Sequence, residues 1–429
     1  MASASTTPGT PGATSAASRP PLMRMNLALF GIGLASFAML FSTQSLLPEI
    51  AAGFDVRPDA ATWTISAATI ALALAVVPLS LLSERFGRRR TMTVSVGVAL
   101  ALALAVPFAP DLSTLVVLRA LQGAAIAGVP ASAVAYLSEE LNGRAMAGAV
   151  GLFIAGNSVG GMTGRILSGW VAEGWGWRAG LASVTALALI GVVLYRALIP
   201  ASRNFTARTL RLRPAAASLG GHLRNGLLLR LYAIGGLLMA AFSAVYTAIA
   251  FRLSEAPFNL SAGLIGSIFV IYLVGTCSSS ITGPGVSRLG RRGALYIGIG
   301  AVVAGLLVST VDHLAAVIVA LVLITGGFFF GHAVASASVG RTATEARAQA
   351  SALYQVTYYL GASVGGVLGA LTYHHARWDG TVAFSLIALL TAGGITLYAT
   401  RRARREAAVT AASRPTVTGR ARVPAAAAG

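Results

Sequence analysis

The side chains with the most evident chemistry are two arginines inside apolar runs, Arg119 and Arg165, a histidine inside another, His332, and a basic turn, Glu84-Arg85-Phe86-Gly87-Arg88-Arg89-Arg90. An arginine in hydrocarbon costs ~2.5–3.5 kcal/mol on insertion scales unless it meets a partner or water, or snorkels to the interface. Arg119 lies ~10 Å inside its boundary by helical rise, and Arg165 at a similar depth. His332 can titrate near neutrality. Glu49, Glu84, Glu139 and Glu140 sit toward run ends, so no carboxylate stands near the middle of a run. Proton movement would then fall to Arg119, His332 or Glu49. Two buried arginines without matching acids suit recognition of an anion equally well.

Several chemistries find no support. Cys277 is the single cysteine, which excludes an intrachain disulfide or a thiolate cluster. His374 and His375 stand beside Arg377 and Asp379 without a clear third metal ligand or nucleophile, and there is no Gly-rich phosphate loop. No metal or cofactor is expected, and direct ATP-driven work is disfavoured. A membrane-integral enzyme or a non-transporting sensor stays as the alternative class.

The elements that position these groups follow from hydropathy. The chain of 429 residues is 56% hydrophobic and 10% charged, with mean hydropathy +0.76, which is membrane composition. Twelve apolar runs are long enough to cross ~30 Å of hydrocarbon as helices: 27–50, 62–83, 91–108, 112–137, 145–171 and 178–199, then 227–252, 260–282, 293–311, 314–339, 347–373 and 379–400. Backbone groups in lipid need internal partners, and the runs lack the alternation of a barrel. All 32 basic residues are arginine. Arg57, Arg178, Arg252 and Arg377 fall on one side, Arg119 and Arg165 inside, and the rest on the side of both termini. The positive-inside rule then explains the net charge of +19 without nucleic acid and places the termini in the cytoplasm.

The chain also repeats itself. The turn Arg85-Phe86-Gly87-Arg88 returns as Arg288-Leu289-Gly290-Arg291, and aligning Glu84 with Ser287 gives 287 − 84 = 203. The stripe Gly156, Gly160, Gly164 returns as Gly361, Gly365, Gly369, with 365 − 160 = 205. Two unrelated motifs at nearly one offset indicate tandem halves. Small residues four apart also let another helix approach closely. The expected organisation is a disordered tail over 1–25, a six-helix bundle over 26–200, a basic linker over 201–225, a second bundle over 226–400 and a basic tail over 401–429.

These features resemble the major facilitator superfamily. Its loop signature Gly-x-Leu-x-Asp-Arg-x-Gly-Arg-Arg is matched by Ser80, Leu82, Glu84, Arg85, Gly87, Arg88 and Arg89, with Ser for Gly and Glu for Asp. Arg119-Ala120-Leu121-Gln122-Gly123 resembles its Arg-x-x-Gln-Gly signature, linked in proton-coupled exporters to proton transfer. The Gly156–Gly164 stripe resembles an exporter signature that usually carries Pro where Gly161 stands. With Leu46-Leu47-Pro48-Glu49-Ile50, the pattern is similar to drug:proton antiporters and arabinose-efflux-like exporters, the acriflavine-sensitivity branch above all.

The resemblance implies an all-α fold of twelve transmembrane helices in two pseudo-symmetric six-helix bundles. It implies no enzyme, but a secondary carrier in the cytoplasmic membrane whose bundles rock about a midplane site and whose partners are a small molecule, protons and lipid. The expected activity is proton-coupled efflux of drug-like or metabolite substrates, with organic-anion or sugar transport by the same fold as the alternative, and a monomer is expected. Helices 1, 4, 7 and 10 should line the cavity, flanked by 2, 5, 8 and 11. The polar candidates are then Gln44, Arg119, Gln122, Asn157, Arg165, Tyr246, His332, Gln355 and Tyr358. The turn built on Ser80, Glu84, Arg85, Gly87, Arg88 and Arg89 should latch the cytoplasmic side shut against helix 11. Its copy at Gly290 and Arg291 should be weaker, because Ser287 replaces the acid.

Overall fold

The computed structural model describes residues 22–141, 143–207 and 212–412. The tail readings for 1–21 and 413–429 lie outside these residues. Helices form wherever the apolar runs predict them, and among the described residues ten are long and apolar enough to cross a membrane. Two of these, Gly148–Leu198 and Gln349–Arg402, have 51 and 54 residues. A straight helix of that length would reach ~77–81 Å, more than twice the hydrocarbon thickness. Each instead folds back at non-helical residues, Gly176 (φ 80) in the first and Ala376 and Arg377 (φ 51) in the second. Thr381 Oγ1 donates to the Gly369 carbonyl at 3.2 Å, although twelve residues of straight helix would hold them ~18 Å apart. The two hairpins bring the passes to twelve.

The passes are numbered here as spans. Spans 1 to 4 are Leu22–Phe54, Pro58–Phe86, Arg88–Phe108 and Leu112–Glu140. Spans 5 and 6 are 148–175 and 177–198. Span 7 is Gly226–Ser254; span 8 runs from Ala262 to 289 and span 9 covers 291–308, beyond a kink at Gly290. Span 10 is Leu314–Thr342, and spans 11 and 12 are 349–375 and 378–402. Helix begins at Leu22, continues past span 12 to Ala412, and reappears in the linker as Leu212–Arg224. Hydropathy ends a run at its first charges, whereas backbone hydrogen bonding continues into the aqueous boundary. Span 4 opens on an N-cap: Asp111 Oδ1 accepts the Thr114 N–H at 2.8 Å, which holds its carboxyl below the usual carboxylate range.

The repeat is visible in packing. A Cβ on Gly156 would sit 2.5 Å from the Phe30 carbonyl oxygen and one on Gly164 2.8 Å from Ala38 Cα, so span 5 lies backbone to backbone on span 1. Span 11 lies likewise on span 7, where a Cβ on Gly369 would come within 2.5 Å of Ala244 Cα. Gly160 faces Leu34 and Gly365 faces Ala240, partners again separated by 240 − 34 = 206. Gly160→Val is expected to lower the melting temperature of the purified protein, with overpacking at such sites costing ~1–3 kcal/mol. Gly151→Val on the same helix, with nothing within 4 Å, should leave it unchanged. Equal melting of the two variants would contradict the backbone contact.

The buried apolar residues separate unevenly. One cluster joins the C-terminal bundle to one end of the N-terminal bundle, through Leu46, Ile50, Val106, Leu115, Ala172 and Trp177. A second cluster, with Met25, Leu72, Met92, Tyr136 and Tyr195, is almost confined to the N-terminal bundle. The bundles therefore share a core at one end and have separate cores at the other. The end with separate cores carries the Gly87 and Gly290 turns, whose φ values of +100 and +70 favour glycine.

Candidate functional site

Between the bundles lies a cavity of ≈ 680 Å³. Its exposed lining residues, including Ile154, Thr276, Ser280, Ser336 and Gln355, lie toward the Gly87 and Gly290 turns and form its mouth. Gln44, Ser66, Thr69 and Arg165, among its buried lining residues, form the floor. At the floor and beyond it the bundles are joined. Ser66 Oγ donates to the Ser363 carbonyl at 3.3 Å, and Ser363 Oγ donates back to the Ser66 carbonyl at 3.0 Å. Trp170 Nε1 donates to Ser267 Oγ at 2.9 Å, and the Gly263 N–H to Glu173 Oε2 at 3.2 Å. The structure is closed at one end and open at the other.

Arg165 is the charged centre of the floor. Its Nε and Nη2 donate to Gln44 Oε1 at 2.9 and 2.5 Å, and Nη1 donates to the Gly161 carbonyl at 2.6 Å. These are neutral acceptors that use three of five N–H donors. The guanidinium carbon lies 4.4 Å from the Phe41 ring centroid, 4.6 Å from Phe269 and 5.0 Å from Tyr272. Cation–π contacts offset part of its lost hydration. No Asp or Glu lines the cavity among the described residues, so the positive charge stays uncompensated.

The opposite wall is aromatic. Phe242 stacks on Phe328 at 4.0 Å between centroids, and Phe328 stacks on His332 at 5.8 Å. Tyr358 lies 4.7 Å from the His332 ring, and the Tyr354 hydroxyl is 2.8 Å from His332 Nδ1. Of the candidates read from sequence, Gln44, Asn157, Arg165, His332, Gln355 and Tyr358 come together here. Asn157 Oδ1 is buried without a hydrogen-bond partner and points at Gly33.

Four candidates do not reach the cavity. Arg119 is 1% exposed inside the N-terminal bundle. It donates to the Thr64 carbonyl at 3.0 Å, to the Met39 carbonyl at 2.7 Å, and to the Leu40 carbonyl and Gln122 Oε1. The helix Leu22–Phe41 ends here, so Met39 and Leu40 lie among its last carbonyls and lack ladder partners. The cation caps them with favourable dipole geometry. Gln122 Nε2 continues the network to the Ala99 carbonyl at 3.2 Å. Tyr246 is fully buried, its hydroxyl 2.6 Å from Thr325 Oγ1. Glu49 lies beyond the floor on Leu47–Phe54, with Oε2 unpartnered.

Span 4 therefore contributes no lining residue among those described, contrary to the expected pattern, because its polar side chains are spent on spans 1, 2 and 3. Spans 2, 5, 8 and 11 close the sides of the cavity with lining residues of their own. Reading for polar residues missed Phe41, Phe242, Tyr272 and Phe328. The Phe328-Phe329-Phe330 triplet was the available signal.

The basic turn is assembled within the N-terminal bundle. Arg88 Nε pairs with Glu139 Oε1 at 3.0 Å, its Nη2 lies 3.8 Å from Glu84, and its Nη1 donates to Ser83 Oγ at 2.6 Å and to the Ser80 carbonyl at 3.4 Å. Arg85 lies 5.5 Å over Phe86, and the Arg89 carbonyl accepts the Tyr195 hydroxyl at 3.4 Å. No ion pair among the described residues reaches span 11. In this conformation the turn does not hold the mouth shut.

Twelve apolar passes around a polar-floored cavity, sealed at one end, define a polytopic membrane carrier. The family profile of the Major Facilitator Superfamily matches residues 28–331 and 231–426, and the chain belongs to that superfamily. It is 38% identical over 382 residues to the uncharacterized MFS-type transporter YybF of Bacillus subtilis, covering 89% of this chain and 95% of that one. It is 35% identical over 373 residues to the inner membrane transport protein YnfM of Escherichia coli, covering 87% and 89%. A bacterial homolog of the human lysosomal transporter Spinster, solved inward-facing and unoccupied, superposes with TM-score 0.71 at 15% identity, covering 90% and 98%. The protein is thus a secondary membrane transporter and not an enzyme.

Proposed function

We propose that this carrier exports small organic anions with an apolar or aromatic body across the cytoplasmic membrane, in exchange for protons, with both termini in the cytoplasm. The uncompensated Arg165 guanidinium at the cavity floor carries this reading. An organic carboxylate or sulfonate replaces the missing counterion through the remaining N–H donors while its body packs on Phe41, Tyr272 and Phe328. A cationic drug would meet Arg165 with no acid to attract it. The asymmetric arginines and the similarity to an inner membrane protein support the location. In that orientation the cavity faces the cytoplasm. The likeness of the Gly156–Gly164 stripe to an exporter signature supports the direction.

His332 is the proton carrier in this reading, since it lines the same cavity and contacts Tyr354 and Tyr358. One proton entering against one anion leaving moves two charge equivalents, for which the membrane potential supplies ~4.6 kcal/mol per 100 mV. The test is a charge-sorted panel in proteoliposomes of the purified monomer. Aromatic carboxylates should be concentrated by an imposed proton gradient, and quaternary ammonium compounds of equal size should not. His332→Gln should lose gradient-driven accumulation while keeping anion counterflow. Preferential transport of the cations would overturn the substrate class, and unchanged accumulation in His332→Gln would remove His332 from coupling.

A further inference from the structure

A second pocket, of ≈ 360 Å³, opens at the mouth end of the C-terminal bundle. It lies among the first turns of spans 7 and 9 and the last turns of spans 10 and 12. Arg230, Arg291, Arg292 and Arg402 stand around it, and no carboxylate lines it among the described residues. Its wall is apolar, with Leu231, Ile234 and Leu295. The hydroxyls of Ser338 and Thr396 donate to the Val334 and Ala392 carbonyls of their own helices. Recognition of a charged ligand therefore falls to the guanidinium groups.

The internal repeat shows what is missing here. Arg291 corresponds to Arg88, since 291 − 88 = 203, the offset of the turn motif. In the N-terminal bundle Arg88 is satisfied by Glu84 and Glu139. In the C-terminal bundle Ser287 replaces Glu84, and its hydroxyl is spent on the Pro284 carbonyl at 2.8 Å. Arg291 and Arg292 are exposed and have no ion pair among the described residues. The positive-inside rule accounts for arginines on this side, but not for their convergence on a pocket with apolar walls.

We propose that this pocket binds the phosphate headgroup of an anionic phospholipid, which supplies the carboxylates' role that the repeat has lost. Basic pockets between helix ends at the cytoplasmic surface have the chemistry for this. Leu227 and Leu289, 43% and 51% exposed, and Tyr398, over which Arg230 lies at 5.3 Å, provide apolar surface at the same end for the acyl chains. The bound lipid would tie the Gly290 turn to spans 7, 10 and 12.

Native mass spectrometry of the full chain in detergent tests this, with phosphatidylglycerol, phosphatidylcholine of identical chains, and inorganic phosphate as probes. Phosphatidylglycerol is expected to be retained about tenfold better than phosphatidylcholine. The triple variant Arg230→Gln, Arg291→Gln, Arg292→Gln should erase that preference, and Arg196→Gln with Arg224→Gln, also exposed, should keep it. Should the triple variant fail to fold, Ser287→Glu restores the acid of the repeat and should itself lower phosphatidylglycerol retention. Equal retention of the two lipids, a preference that survives the triple variant or Ser287→Glu, or inorganic phosphate binding as tightly as the lipid would overturn the proposal.

Discussion

Arg165→Gln is expected to raise the KM for organic-anion transport by about ten- to a hundredfold, the loss of a charge-assisted hydrogen-bonded pair in a dehydrated site. The effect should be selective, because the neutral ester of the same substrate lacks the charge-assisted bond to the guanidinium and should lose far less in the variant. Arg165→Lys keeps the charge, but loses the planar fork that donates twice to Gln44 and lies against Phe41, Phe269 and Tyr272. It should fall between the two. Initial-rate measurements in proteoliposomes at several substrate concentrations check all three. Arg165→Gln with wild-type anion KM would remove this residue from substrate recognition.

Arg119→Met should behave differently, losing the protein instead of the substrate. Truncation strands the Leu40 carbonyl and Gln122 Oε1 in the interior of the N-terminal bundle, whereas the Met39 carbonyl keeps the Ser42 hydroxyl at 3.0 Å and Thr64 stands within the helix Pro58–Phe86. Each unsatisfied buried acceptor costs ~1–3 kcal/mol, and relief of the buried charge offsets only part of the sum. A net loss of ~1–3 kcal/mol is expected, read as a lower melting temperature and a reduced monodisperse fraction in detergent. The surviving protein should bind anion with wild-type affinity. A variant that melts like wild type but does not transport would place Arg119 in the transport cycle, contrary to its observed contacts.

The contrast between these arginines marks the boundary of what the chain alone discloses. Both stand in apolar runs at similar depth, and hydropathy assigns both the same cost. What separates them is the end of the helix at Phe41, which leaves carbonyls for Arg119 to cap, and the proximity of span 8, which brings Phe269 and Tyr272 to Arg165. Neither fact is local in sequence. The passes were legible because hydrocarbon thickness sets their length, and the repeat was legible because Gly87 and Gly290 each occupy a positive φ at a helix junction. The aromatic wall was not, since a phenylalanine in an apolar run reads the same whether it faces lipid, a neighbouring helix or a cavity.

The same distinction applies to the basic turn. Its residues were recognisable, yet the sequence could not say in which conformation Arg88 would be found. Here it pairs with Glu84 and Glu139 of its own bundle while the mouth stands open. Closure of that mouth requires the separate cores of the two bundles to approach. Opening of the other end requires the reciprocal Ser66–Ser363 bonds and the Trp170–Ser267 contact to part.

Two spin-label distances, measured with and without an aromatic carboxylate, test this exchange of gates most directly. In a Cys277→Ser background, labels at Gly151→Cys and Ser351→Cys span the open end, and labels at Trp175→Cys and Leu264→Cys span the sealed end. Anion binding should shorten the first distance and lengthen the second. Distances that stay fixed, or that change in the same sense, while the labelled protein still transports would contradict the account.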